Sequence, residues 1–349
     1  MDIVFTIIIS ILVFGFLIFI HEFGHYIFAR IFKVTIEEFS IGMGPKLVAW
    51  KSKKTNINYA ISAIPIGGYV AMVGEDEDSD DPNSFDRKPA WQRFIITVAG
   101  ATVNLIAGVI AVLVIAIVSP YGGTTVADFA DPADTGYTVS TEEQGLMSGD
   151  TIIEVEGKRV FIAEELTYEI MRRGNEPVDV TVIRDGKEFT IENVVFPTDS
   201  ESGQVFGIMD FRIYAKEKNF GSVVGYAFSR SGLIVRMCWE SIFDLITGRY
   251  TLAAVSGPVG ISEAIGTAAK AGALELLNIV SLISINLGVM NLLPIPALDG
   301  GRMVAILAEM ITRKKLPSNV ESTINAVGLA VLLGLSFIIM IKDIIGLFI

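Results

Sequence analysis

A single cysteine, Cys238, stands in 349 residues, which excludes an internal disulfide and leaves an inert thiol. Histidine is nearly as scarce. His21 and His25 are the only two, so no site built on three imidazoles is open to this chain. Charge is thin as well, at 19% of residues against 51% hydrophobic. With a mean hydropathy of +0.55, those proportions exclude an ordinary soluble domain and describe a membrane chain. No basic segment precedes the first apolar run and no small-residue cleavage site follows it. That run therefore reads as an anchor and not as a cleaved leader.

What is there begins with four charge-free runs, 3–20, 94–118, 276–298 and 322–341. About 20 residues at 1.5 Å each cross the hydrocarbon. The expected fold is therefore a polytopic α-helical membrane protein with four transmembrane helices, assigned to 1–30, 91–118, 272–301 and 322–347. Lysine and arginine set the orientation. They crowd the segment between the first two runs (Lys33, Lys46, Lys51, Lys53, Lys54, Arg87, Lys88) and the one after the third (Arg302, Arg313, Lys314, Lys315). Both loops are expected in the cytoplasm, with both termini and the long 119–270 segment outside. The net charge of −12 adds little, because acids barely influence topology. The expected setting is the cell (inner or plasma) membrane, crossed several times, with the lipid bilayer as a partner and no nucleic acid.

Between the runs, 31–90 holds Ile-, Val-, Tyr- and Gly-rich stretches punctuated by Pro65, Gly67 and Gly68, predicting a membrane-associated β-hairpin on the cytoplasmic side. The acidic run EDEDSDD at 75–81 reads as a solvated loop. Residues 124–198 alternate strand-like runs with Gly-Asp and Asp-Gly turns, predicting one extracytoplasmic PDZ-like domain. Its STEEQ lead-in is unlike the usual small residues. Residues 221–250 are too interrupted by charge to span, and predict an interfacial amphipathic helix.

Both histidines fall in HEFGH, continuing the first apolar run. Ionisable groups at such a depth are costly and usually functional. On a helix, i and i+4 share a face, so His21 and His25 can grip one metal with Glu22 beside it as general base. A catalytic zinc site takes three protein ligands and keeps one position open, so one ligand is missing. The first run travels inward, which sets its histidines near the cytoplasmic face. The third also travels inward, and its first acid is Asp299, in NLLPIPALDGGR. Glu275 and Asp343 fall at the outer ends of their runs. Pro294 and Pro296 break the helix and let the chain turn a carboxylate toward a cavity. Asp299 is the expected third ligand and Zn2+ the expected cofactor. A metal transporter is the rival reading, but it has no use for Glu22 as a proton carrier or for an outer domain.

Together these residues resemble the site-2 protease family of intramembrane zinc metalloproteases, in the branch of bacterial regulator-of-sigma-E proteases. The likeness runs along nearly the whole chain: HEFGH, IPIGGYVAM, the PDZ-like segment, SGPVGI at 256–261 and INLGVMNLLPIPALDGG. One departure is AGATVN at 99–104, where Ala101 stands in place of the relatives' proline; Gly100, Asn104 and Gly108 keep a close-packing stripe with one hydrogen-bonding side chain. The resemblance implies a zinc metalloendopeptidase acting in regulated intramembrane proteolysis. Its substrates would be transmembrane proteins already cut on the outer side, such as anti-sigma factors or signal-peptide remnants. Asn286 and Asn291, ahead of Asp299, have amides suited to holding an unwound substrate backbone, and the resemblance points that way; helix–helix hydrogen bonding is the alternative. The hairpin offers an edge for strand addition.

Overall fold

The computed structural model describes residues 2–75, 77, 79–130, 139–201, 204–249 and 255–346. Parts of several expected segments lie outside the described residues: 1 and 347 of the end spans, 76 and 78 of the acidic run, 131–138 of the 124–198 domain, and 250 of the amphipathic helix. The chain divides into two units, Met1–Ala111 with Ile234–Ile349, and Val112–Leu233.

Among the described residues, four helices are long and apolar enough to cross a membrane. They are α1 (Asp2–Ile31), α2 (Ala90–Val118), α6 (Ala273–Asn291) and α8 (Ser318–Gly346). Away from water a backbone must satisfy its own hydrogen bonds, and the helix does so within one segment. The third differs from the expected 272–301 segment, because α6 has 19 residues and stops at Asn291. Pro294 and Pro296 follow, and proline can neither donate in a helix nor tolerate one before it. Residues 292–298 form turns, and Asp299 opens a separate helix, α7 (Asp299–Thr312).

Between α1 and α2, β1 (Ile36–Lys51) and β2 (Asn58–Met72) pair antiparallel. Both long strands bend, so the pair doubles back on itself. Residues 36–41 meet 68–72 on one side and 58–61 on the other, while 46–51 also meet 58–62. Residues 68–72 are thereby left as an outer edge. A core of Ala29, Phe39, Val70, Phe85, Ile96 and Ile306 fastens the hairpin to α1, α2 and α7.

In the second unit a sheet runs in the order β10 (Phe211–Ala215), β3 (Gly122–Phe129), β4 (Thr151–Val155), β6 (Val178–Arg184), β7 (Lys187–Val194), with the short β5 (Lys158–Arg159) on β4. The hairpin of β8 (Thr198–Glu201) and β9 (Gln204–Gly207) stands apart from that sheet. Helix α3 (Ala163–Arg173) is amphipathic and gives Leu166 and Ile170 to a core with Val126, Ile152, Val180 and Phe196. Asp150 is fully buried there, where both oxygens accept from Arg184 at 2.7 Å. The charge-interrupted stretch forms one helix, α4 (Phe220–Thr247). Helix α5 (Pro258–Ala271) precedes α6.

Candidate metal centre

His21 and His25 lie one turn apart on α1, with Nε2 atoms 3.2 Å from each other. Asp299, at the first turn of α7, reaches both: its Oδ2 is 3.2 Å from His21 Nε2 and 3.3 Å from His25 Nε2. Asp299 comes from 278 residues beyond His21, so the fold and not local sequence closes this triangle. Among the described residues it is the one cluster of three His, Cys, Asp or Glu side chains with metal-binding spacing. A tetrahedral zinc with bonds of about 2.0–2.1 Å has ligand–ligand edges of about 3.3–3.4 Å. The three observed separations fit those edges. Asp299 Oδ2 is also buried without a hydrogen-bond partner in the protein, which is costly unless a cation satisfies it. The residues present therefore fit the metal.

The imidazoles are held from behind. His25 Nδ1–H donates to the Ile96 carbonyl at 2.9 Å, which leaves Nε2 free to ligate. Asn104 Nδ2 lies 3.3 Å from His21 Nδ1 and as placed donates to it, while Asn104 Oδ1 is buried without a partner. A metal held by His21 Nε2 would leave the ring proton on Nδ1, and a half-turn of the amide would then give Oδ1 its donor. The rings rest against bare backbone: a Cβ on Gly100 would stand 2.3 Å from His25 Nε2 and 2.9 Å from His21 Cε1. The sequence marked Gly100 and Asn104 only as a packing stripe. Nothing local reveals that the stripe carries the histidines.

Glu22 joins His21, His25 and Asp299 in lining a cavity of about 620 Å³. Gly68 lets β2 pass close to it, since a Cβ there would stand 2.9 Å from Glu22 Cγ. Tyr69, Val70, Ala71 and Met72 of the sheet's outer edge line the same cavity. So do Thr97, Arg302 and Asn325, which sequence reasoning had not singled out. Arg302 pairs with Glu75 and lies 3.5 Å from Glu321, tying α7 to the hairpin exit and to α8. Asn286 and Asn291 are half-buried on α6 and are not brought into the lining of this cavity. Asn286 Oδ1 is a buried acceptor without a partner.

Comparison with known proteins adds a family. The model of peptidase family M50 matches residues 9–335. A protein of Clostridium acetobutylicum named "Putative zinc metalloprotease" is 35% identical over 342 residues, 98% of each chain. Proteins bearing the same name in Clostridium perfringens (34%, 97% of this chain and 98% of the relative) and Fusobacterium nucleatum (33%, 98% and 99%) are similar throughout.

Proposed function

This chain belongs to peptidase family M50, and from that premise we propose that it is an intramembrane zinc metalloendopeptidase cleaving the transmembrane segments of other membrane proteins. The observation that carries the proposal is the triangle of His21, His25 and Asp299, with sides of 3.2, 3.2 and 3.3 Å, on a cavity shared with Glu22. His21, His25 and Asp299 would hold zinc, which when bound supplies the Lewis acidity that acidifies water and polarises a peptide carbonyl. Glu22 takes a proton from the attacking water and returns it to the leaving amine nitrogen. The Ile96 carbonyl keeps the His25 ring proton on Nδ1, and Asn104 with its amide turned would do the same for His21.

A transmembrane substrate arrives with its carbonyls tied into a helix. It must unwind and find new partners. The edge at residues 68–72 supports strand addition beside Glu22, because it takes no strand on its outer side among the described residues and a free edge is a template for pairing. On this reading Asn286 and Asn291 hold substrate backbone along α6, outside the cavity and away from the scissile bond. The basic loops assign both termini and the PDZ-like domain to the outer side, and the metal centre to the cytoplasmic side. Substrates trimmed outside, of the anti-sigma or signal-peptide kind, suit that arrangement.

The test is cleavage of a transmembrane model peptide by the purified protein in detergent. Fragments that vanish on chelation and return with zinc are expected. Glu22→Gln should abolish them while zinc stays bound; cleavage undiminished in that variant would overturn the mechanism.

A further inference from the structure

Phe19, Phe23 and Tyr26 follow one another along one face of α1. Their ring centroids are 5.5 and 6.2 Å apart, with planes only 18° and 14° from parallel. Phe39 of β1 meets Phe19 and Tyr26 edge-on at 6.1 and 5.4 Å. Trp50 stacks on Tyr59 at 5.7 Å. These six rings wall a groove of about 230 Å³ that has only aliphatic and aromatic side chains around it. The Tyr26 and Tyr59 hydroxyls bond each other at 2.9 Å. The groove shares no lining residue with the catalytic cavity.

The hairpin ends just past this groove. Trp50 faces Tyr59, Lys51 faces Asn58, and the residues between Lys51 and Asn58 read SKKTNI at 52–57. Lys51, Lys53 and Lys54 are exposed, and none is ion-paired among the described residues. The strand leading there is exposed from Met43 to Lys51, with Leu47 at 68% and Trp50 at 53%. A sheet with large apolar side chains bare on both faces calls for an apolar cover. Here the bare face adjoins a helix long and apolar enough to span, aromatic rings of the kind that settle at the interface, and unpaired positive charge.

We propose that the groove is a binding site for an anionic phospholipid, with an acyl chain against the α1 aromatics and the phosphate against Lys51, Lys53 and Lys54. The separate lining argues against a substrate side chain there. Charge complementarity selects the headgroup: a lysine beside an anionic lipid raises association roughly fivefold. The site stands whether or not the chain is a protease.

Trp50 is the reporter. With Trp91→Phe and Trp239→Phe it is the only tryptophan left. The full chain is placed in phosphatidylcholine bilayers doped with brominated phosphatidylglycerol or brominated phosphatidylcholine, and quenching is measured. With three lysines, half-maximal quenching by the anionic lipid is expected at a mole fraction lower by a factor on the order of a hundred. Replacing the three lysines by glutamine should erase that preference. Ile61→Phe, at a groove position that is 44% exposed, should weaken quenching by both lipids without disturbing the core. Equal quenching by the two headgroups in the lysine-bearing protein would overturn the proposal. So would quenching that a transmembrane peptide displaces from a Glu22→Gln background, since that assigns the groove to substrate.

Discussion

Gly100→Ala adds one methyl and replaces no proposed ligand, yet it should disable the candidate metal centre. The new Cβ would stand 2.3 Å from His25 Nε2, 2.8 Å from His25 Cδ2 and 2.9 Å from His21 Cε1. Ordinary carbon contacts begin at about 3.5 Å, so the His25 ring must retreat by roughly 1.2 Å. It has little freedom to do so, because its other nitrogen is held by the Ile96 carbonyl at 2.9 Å. Metal–ligand distances tolerate only about 0.2 Å. Losing a single outer-shell partner typically costs 10–100-fold in metal affinity, and a displaced ligand should cost at least roughly that upper value. A misplacement of about 1 Å is worth on the order of 100-fold in rate, which sets the minimum loss of cleavage. Stability should change less. Overpacking costs about 1–3 kcal/mol, and alanine in a helix returns roughly 0.5–1 kcal/mol. Gly15→Ala, on α1 with nothing within 4 Å of its Cβ, is the matched control and should keep both zinc and activity. Zinc affinity by chelator competition, thermal melting of the metal-free protein and peptide cleavage are measured on all three proteins. A Gly100→Ala protein with native zinc affinity would refute the reasoning.

Three further outcomes follow from the same geometry. Asp299→Asn should lose most bound zinc along with activity, because a neutral amide is a poor zinc ligand; elemental analysis showing stoichiometric metal would mean that the third ligand lies elsewhere. Asn104→Leu removes the acceptor behind His21 and should weaken zinc binding roughly 10–100-fold, whereas Asn104→Asp, which can still accept from Nδ1–H, should keep it; equally weak binding in both variants would reduce Asn104 to packing. Residues 124–198 should act as a size filter, so a transmembrane segment with a short outer stub is cut and one fused to a folded outer domain is not, with deletion of 124–198 narrowing the difference; equal cleavage of both by the intact enzyme would end that idea.

Much of the fold was legible because lipid imposes so narrow a menu. A charge-free run of about 20 residues has little choice but a helix, and four of them were countable. Composition could not say where the third would stop. The run continues to Leu298, but the helix ends at Asn291, since the prolines act on the backbone ahead of them. The hairpin was readable as strands, whereas its doubling back was not. That path rests on which segments find each other in space: 36–41 takes partners from both ends of β2, and alternation of side chains contains no such information.

The metal centre divides along the same line. HEFGH is a local pattern, and helical periodicity alone brings His21 and His25 to one face. Asp299 needed an argument about depth, and what holds it in place was beyond any local reading. Asp343 is instructive here. It lies at the far end of the fourth run, outside the candidate metal cluster and the cavity lining. Its Oδ2 accepts from the Gly257 and Gly260 N–H groups at 2.8 and 3.2 Å, at the start of α5, which has no side-chain cap of its own. A carboxylate at a helix N-terminus satisfies free donors and suits the dipole, so SGPVGI becomes the dock for one end of α8. Near the other end, Asn325 Oδ1 accepts from the Ala297 N–H at 3.2 Å. Ala297 has φ of 72°, a left-handed conformation that costs an alanine about 1–2 kcal/mol. It stands two residues before Asp299, in the turn that delivers the proposed third ligand. The strained turn is held by α8, and α8 is held in part by a cap supplied 86 residues from the helix it closes. Placement of the proposed third ligand thus depends on polar contacts that reach from Gly257 to Asp343.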